Sequence, residues 1–221
     1  MRTSGLQTSV IISLLIAIAI SVNATPLHPQ RLNPKGESMR LQSTANGTEE
    51  VVYRLSPSND VVMNLAGTTP IRDWKMSAHG LTGSAKMVTS DNNLLEIQSL
   101  TFSLPVYNLR GEERGMDNDC YAALKANRYR EIVFVLISAS VAQQGQHAYV
   151  IAARGTLTVA GVTQFVTLKM HSRVAENGSI IFTGMENVRM SDYNVERPSV
   201  FFGVIRAGDE MTLSYNLIFT K

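Results

Sequence analysis

The sequence predicts an all-β domain, an antiparallel sandwich or barrel. Three observations predict it. Apolar and polar residues alternate over most of the chain from Val51 onward, which is the period of a half-buried strand. Turn signals separate the alternating runs, among them Asp91-Asn92-Asn93, Glu176-Asn177-Gly178 and Ala207-Gly208-Asp209. No run of βαβ units interrupts them, so a closed or layered antiparallel sheet is the architecture that buries such faces. Composition agrees. Of 221 residues, 44% are hydrophobic, too many for a disordered chain. The 20 Lys+Arg against 18 Asp+Glu leave no clustered basic excess, so no nucleic-acid partner is expected.

Residues 1–24 read as a signal peptide. Arg2 supplies a positive start, residues 10–20 are apolar apart from Ser13, and Val22-Asn23-Ala24 precedes the expected cut after Ala24. The apolar run falls short of the ~20 residues that span a bilayer, and no cysteine near the cut offers a lipid anchor. The expected location is therefore the periplasm or the outside of the cell, with no membrane span after cleavage. Residues 25–50 read as a flexible spacer, with Pro26, Pro29 and Pro34 and no apolar period. The β domain is expected over residues 51–221.

Each strand is justified by its own alternation. Val61, Met63 and Leu65 share one face, as do Leu100, Phe102, Leu104 and Val106. Ile132, Phe134 and Leu136 belong to a more continuous apolar run. Leu157 and Val159 lead to a break at Gly161, after which Val166, Leu168 and Met170 resume. Ile180 and Phe182 pair on a further face. The last run sets Met211, Leu213, Tyr215, Leu217 and Phe219 against polar neighbours. One segment departs from this period. Residues 117–127 carry Cys120, Tyr121 and Leu124 at helical spacing, with Asp117 placed to cap the first turn and Met116 and Tyr121 placed as a hydrophobic staple. Lys125, Arg128 and Arg130 follow, where positive charge suits a helix C-terminus.

A search for catalytic chemistry finds no constellation. His28, His79, His147 and His171 lie at no metal-ligand spacing, and Cys120 has no adjacent histidine or glycine-rich turn. A single cysteine forms no disulfide within the chain. No metal or cofactor is expected. Asp73 and Asp192 adjoin Trp74 and Tyr193; loop-forming carboxylates are the favoured reading, and an acid/base pair is the alternative. The ten methionines include Met63, Met76, Met170, Met190 and Met211 at apolar positions. They fit plain core filling or the adaptable lining of an apolar cavity equally.

Four stretches in order resemble the YceI-like family of lipocalin-like, periplasmic, polyisoprenoid-binding proteins. Gly67-Thr68-Thr69-Pro70-Ile71-Arg72-Asp73-Trp74 with Leu81-Thr82-Gly83 is similar to the Gly-Thr-Ser…His-Asp-Trp…Leu-Ser-Gly signature of the branch common in Bacteroidetes. Met116-Asp117, then Leu124-Lys125, then Tyr129-Arg130-Glu131-Ile132-Val133-Phe134 resembles the family's Met-Asp…Leu-Lys…Tyr-Pro-x-Ile-x-Phe. The stretch from Gly155-Thr156-Leu157-Thr158 through Gly161-Val162-Thr163 to Val166 is close to Gly-x-Leu-Thr-Ile-x-Gly-Val-Thr-Lys-x-Val. Met190-Ser191-Asp192-Tyr193, Pro198, Gly203 and Gly208-Asp209-Glu210 resemble the family's ending. The chain departs from the pattern at Arg72, where the family carries histidine, and at Arg130, where it carries proline. Its spacer is also longer.

The resemblance implies a lipocalin-like antiparallel barrel of about eight strands, wide enough for one slim ligand. It implies a non-catalytic protein that holds an isoprenoid, such as a polyprenyl chain or a quinone, or a similar long apolar chain. It allows a homodimer. The expected lining, from the inward faces, is Met63, Leu65, Trp74, Phe102, Leu104, Phe134, Leu157, Leu168, Phe182, Leu213, Tyr215 and Phe219, with Arg72, Asp73, Asp192 and Tyr193 at a polar mouth. A structural or interaction module whose barrel is filled by its own side chains is the alternative.

Overall fold

The alternating runs become strands that close on themselves. The computed structural model describes residues 47–58, 60–112, 114–200 and 204–221. The expected signal peptide and residues 25–46 of the expected spacer lie outside the described residues. The strands are β1 (Thr48–Leu55), β2 (Val62–Thr68), β3 (Asp73–Ala78), β4 (Thr82–Ser90), β5 (Asn93–Pro105), β6 (Leu109–Gly111), β7 (Glu131–Gly145), β8 (Ala148–Val159), β9 (Val162–Val174), β10 (Ile180–Arg189), β11 (Ser199–Val200), β12 (Ile205–Arg206) and β13 (Glu210–Thr220). The helix α1 (Arg114–Ala123) joins β6 to β7. The first strand starts at Thr48, inside the range read as spacer, because Thr48 to Arg54 pair with β4 from Ser90 to Ser84.

The order β1-β4-β5-β7-β8-β9-β10-β13 forms a ring, closed where Arg54 faces Thr220 and Leu55 faces Phe219. All these pairings are antiparallel. β13 is long enough to serve two partners on one edge. Its end pairs β1, while Met211 to Asn216 pair β2 from Gly67 to Val62. From β2 the sheet continues through β3 to β6. The wall therefore divides, and the two ends of the molecule differ.

The end closed by β1 is filled. Phe134, Ile151, Ile180 and Phe219 are wholly buried. Phe134 stacks on Phe102 with centroids 5.3 Å apart, and Phe182 meets Phe219 edge-on at 5.6 Å, separations at which aromatic pairs attract. Gly155 makes room for this floor. A Cβ there would lie 2.7 Å from the Phe134 ring and 2.4 Å from the Val135 carbonyl oxygen, so glycine is required by close approach.

The helix lies earlier than its sequence signals suggested. It starts at Arg114 and ends at Ala123, so Asp117 sits in its first turn rather than at its cap. The Asp117 carboxylate instead accepts the Gly111 amide at 2.6 Å, with Arg110 beside it at 3.4 Å. A strand-end amide was the unpaired donor within reach, and satisfying it ties the helix to β6. Tyr121 turns the same way and donates to the Leu109 carbonyl at 2.8 Å, while Met116, expected just before the helix as half of a staple, lies inside it and lines the interior. Beyond Ala123, Lys125 takes a left-handed φ of 52° and the Ala126 amide reaches back to Tyr121, which ends the helix. Lys125, Arg128 and Arg130 thus lie past the last turn rather than on it.

Candidate ligand cavity

The other end of the ring is hollow. A cavity of about 710 Å³ opens there, within the range of small-molecule sites. Its wall is built from the inward positions of the strands and from one face of α1. Met63, Leu65, Trp74, Phe102, Leu104, Leu157, Leu168 and Leu213 line it. Phe134, Phe182, Tyr215 and Phe219 do not. They are buried below it, in the filled end. The expected lining thus splits by height along the axis. Phe182 and Phe219 pack at the β1–β13 closure, whereas Phe134 and Tyr215 are buried beside the cavity floor, opposite the lining residues Phe102 and Met63.

Trp74 owes its place to Gly67, its partner across the β2–β3 ladder. A Cβ on Gly67 would sit 2.3 Å from the indole, so only glycine lets the ring lie on the strand. The indole Nε1–H is buried and has no hydrogen-bond partner among the described residues. A buried donor of this kind leaves a hydrogen bond to be made.

Of the four residues expected at the mouth, Arg72 and Tyr193 line the cavity and Asp73 and Asp192 do not. Arg72 is delivered by a tight turn. The Thr69 hydroxyl accepts from the Arg72 amide at 3.1 Å and donates to the Arg72 carbonyl at 2.8 Å. Tyr193 is buried, and that burial, with the Asp192 charge second, holds its phenol protonated above the usual range. Asp192 pairs with Arg189 at 3.2 Å, and Arg189, missed by the sequence reading, reaches the cavity. Asp73 is exposed at the start of β3. The Gly208-Asp209-Glu210 motif proves to be loop scaffolding at this end. Asp209 accepts the Ser191 amide at 2.9 Å and its hydroxyl at 2.6 Å. These donors hold the half-buried Asp209 carboxyl below its ordinary range. The Gly208 amide bonds the Thr68 carbonyl at 2.8 Å.

Sequence reasoning also missed Val159, in phase with Leu157 on β8, Val188 on β10, and the helical contribution. Met116, Cys120 and Leu124 recur every fourth residue and all reach the cavity, as one helix face must. Of the five methionines singled out at apolar positions, Met63, Met76, Met190 and Met211 are lining, whereas Met170 is core.

Cys120 sits in this apolar wall. Burial first, and the Asp117 charge second, push its thiol up to about 12 from 9.0. At pH 8 such a shift lowers the reactive thiolate fraction roughly a thousandfold against a free thiol. Thiol-modifying reagents should therefore label native protein at least a hundred times more slowly than denatured protein, read by mass spectrometry over time. Equal rates would show that the thiol is not held in an apolar environment.

No group of three metal-ligating side chains lies together among the described residues, and among them no helix is long and apolar enough to cross a membrane.

The fold and the cavity define a class, a lipocalin-like β-ring that is filled at one end and hollow at the other. The YceI-like domain model matches residues 53–219, and the chain belongs to that family. Among solved structures it is similar to Burkholderia cenocepacia BcnA, with a TM-score of 0.59 and 17% identity over 75% of this chain and 99% of that one. It is also similar to a polyisoprenoid binding domain from Saccharophagus degradans implicated in plant cell wall breakdown, with a TM-score of 0.58 and 10% identity over 76% and 97% of the two chains. A YceI protein from Campylobacter jejuni follows at 0.52 and 17%, over 66% and 84%. These likenesses establish a shared fold. No curated protein matches the sequence.

Proposed function

We propose that this protein binds one isoprenoid, or a similar long apolar chain, in the cavity, and carries it outside the cytoplasm after removal of residues 1–24. The observation that carries the reading is the cavity itself, apolar-walled and hollow at one end of an otherwise filled ring. An unfilled apolar wall of this size forfeits packing contacts that a chain would restore. Transfer of a chain into such a site yields roughly 0.8 kcal/mol per methylene before the entropic costs of binding. The polar end would lie at the mouth, near Arg72, Arg189 and Tyr193. That family neighbours include a polyisoprenoid-binding domain supports the same chemistry. A carrier role fits an arrangement in which Asp73 and Asp192, the two carboxylates of the acid/base alternative, both stand outside the cavity wall, with Asp119 of α1 the one carboxylate lining it among the described residues.

Trp74 is the single tryptophan and lines the cavity, so its fluorescence reports occupancy. Titration with a ubiquinone bearing a short isoprenoid tail should quench it saturably at one ligand per chain, with a Kd at or below the micromolar range. Mass spectrometry of lipid extracted from gently purified protein should identify a stoichiometric long-chain species. An empty protein that also shows only linear, collisional quenching would defeat this reading.

A further inference from the structure

The ring has a weak seam. β9 and β10 pair from Ile180↔Val174 to Gly184↔Met170 and no further. Both strands run on toward the mouth, still paired on their outer edges. β9 follows β8 as far as Val162↔Val159, and β10 follows β13 as far as Arg189↔Glu210. Between residues 164–169 and 185–189 no ladder joins them among the described residues. Two side-chain contacts span the gap instead. The Glu186 carboxylate accepts the Lys169 amide at 2.6 Å, and the Gln164 side-chain amide donates to the Asp192 carbonyl at 2.8 Å. The seam opens on the cavity, because Leu168 from one lip and Val188 and Arg189 from the other line it. Its outer lips carry Phe165 and Met185, 83% and 69% exposed. A chain leaving by this route meets apolar side chains before water.

We propose that this seam is a side portal, through which a long apolar chain enters and leaves the cavity, with Glu186 as its latch. The inference rests on the chain-binding reading above. A continued ladder would give the Lys169 amide to a β10 carbonyl. A carboxylate on a rotatable side chain takes that place, so the two strands part by side-chain rotation and the loss of few bonds rather than of a row of backbone bonds. The neighbouring β7–β8 and β8–β9 ladders run the length of their strands; β5 and β7 also part beyond Thr101↔Val135, but no residue of that unpaired stretch lines the cavity.

The test bridges the lips. Extending the register of Gly184↔Met170 brings Thr167 and Asn187 opposite one another, both exposed. The double variant Thr167→Cys with Asn187→Cys, joined by a short bismaleimide and checked by peptide mass, is compared with its own unbridged form. Uptake of the short-tailed ubiquinone is followed by stopped-flow quenching of Trp74. Bridging should slow uptake and release at least tenfold and leave the saturating occupancy unchanged. Independently, Glu186→Ala should speed both severalfold. A bridged protein that loads at the unbridged rate, or a Glu186→Ala protein with unaltered rates, overturns the portal while leaving chain binding intact. No saturable uptake in any form overturns chain binding, and the portal with it.

Discussion

Phe134→Ala should cost about 3–5 kcal/mol of folding stability, as buried phenylalanine truncations do, and should leave the ligand affinity of the folded fraction nearly unchanged. Phe134 is wholly buried, stacks on Phe102, and lies over Gly155 where no other side chain would fit. Its loss opens a void in the packed end, where β5, β7 and β8 hold the surrounding backbone in register and limit collapse into the space. The cavity keeps all its lining side chains, because Phe134 stands behind Phe102 and is not itself part of the wall. Denaturant unfolding and ubiquinone titration on the same sample separate the two quantities. A large loss of affinity with little change in stability would place Phe134 in the binding site instead.

Leu213→Trp should do the opposite. Leu213 lies in the middle of β13, opposite Leu65 on one side and Glu186 on the other, and lines the cavity while remaining only half-buried. The pleat directs its side chain inward, so an indole there enters open space and does not crowd a packed core. It displaces about four methylene-sized groups of ligand, worth roughly 3 kcal/mol at ~0.8 kcal/mol each, or about a hundredfold in Kd. Thermal stability should change by only a few degrees. Calorimetric titration with the short-tailed ubiquinone reads the affinity, since a second tryptophan complicates the quenching. Retention of the original Kd would mean that the chain does not occupy this part of the ring.

The two variants separate residues that the sequence alone grouped together. Phe134, Phe182, Tyr215 and Phe219 carry the same pattern of alternation as Leu104, Leu157, Leu168 and Leu213. Tyr215 and Leu213 are two residues apart on one strand, yet Leu213 faces the cavity while Tyr215 is buried below it. Period two reports which side of a strand a residue occupies. It carries no information about height along the axis of a ring.

Much was legible from the order of residues. The all-β class, the inserted helix and the resemblance to YceI-like proteins rest on local period, turn residues and motif spacing, which a single chain carries within a few residues. The site was legible in part. Trp74 beside Arg72 and the faces of Leu65 and Leu104 could be read directly, whereas Arg189 and the helix face of Met116, Cys120 and Leu124 required knowing what lay across from them. Asp117 shows the same limit in reverse. Its sequence context favoured a cap, and a strand-end amide six residues back took its carboxylate instead.

Tertiary structure alone decided where the interior is full and where it is empty. β13 meets β1 at one end and β2 at the other, and that division closes the ring over the aromatic floor and leaves it open beneath α1 and β3. It likewise decided that β9 and β10 part after Gly184, although both strands keep their alternation to the end. Alternation is a property of one strand, set by its own backbone. Closure, branching and seams are properties of pairs of strands distant in sequence, set by which edges find hydrogen-bond partners once the whole ring has formed.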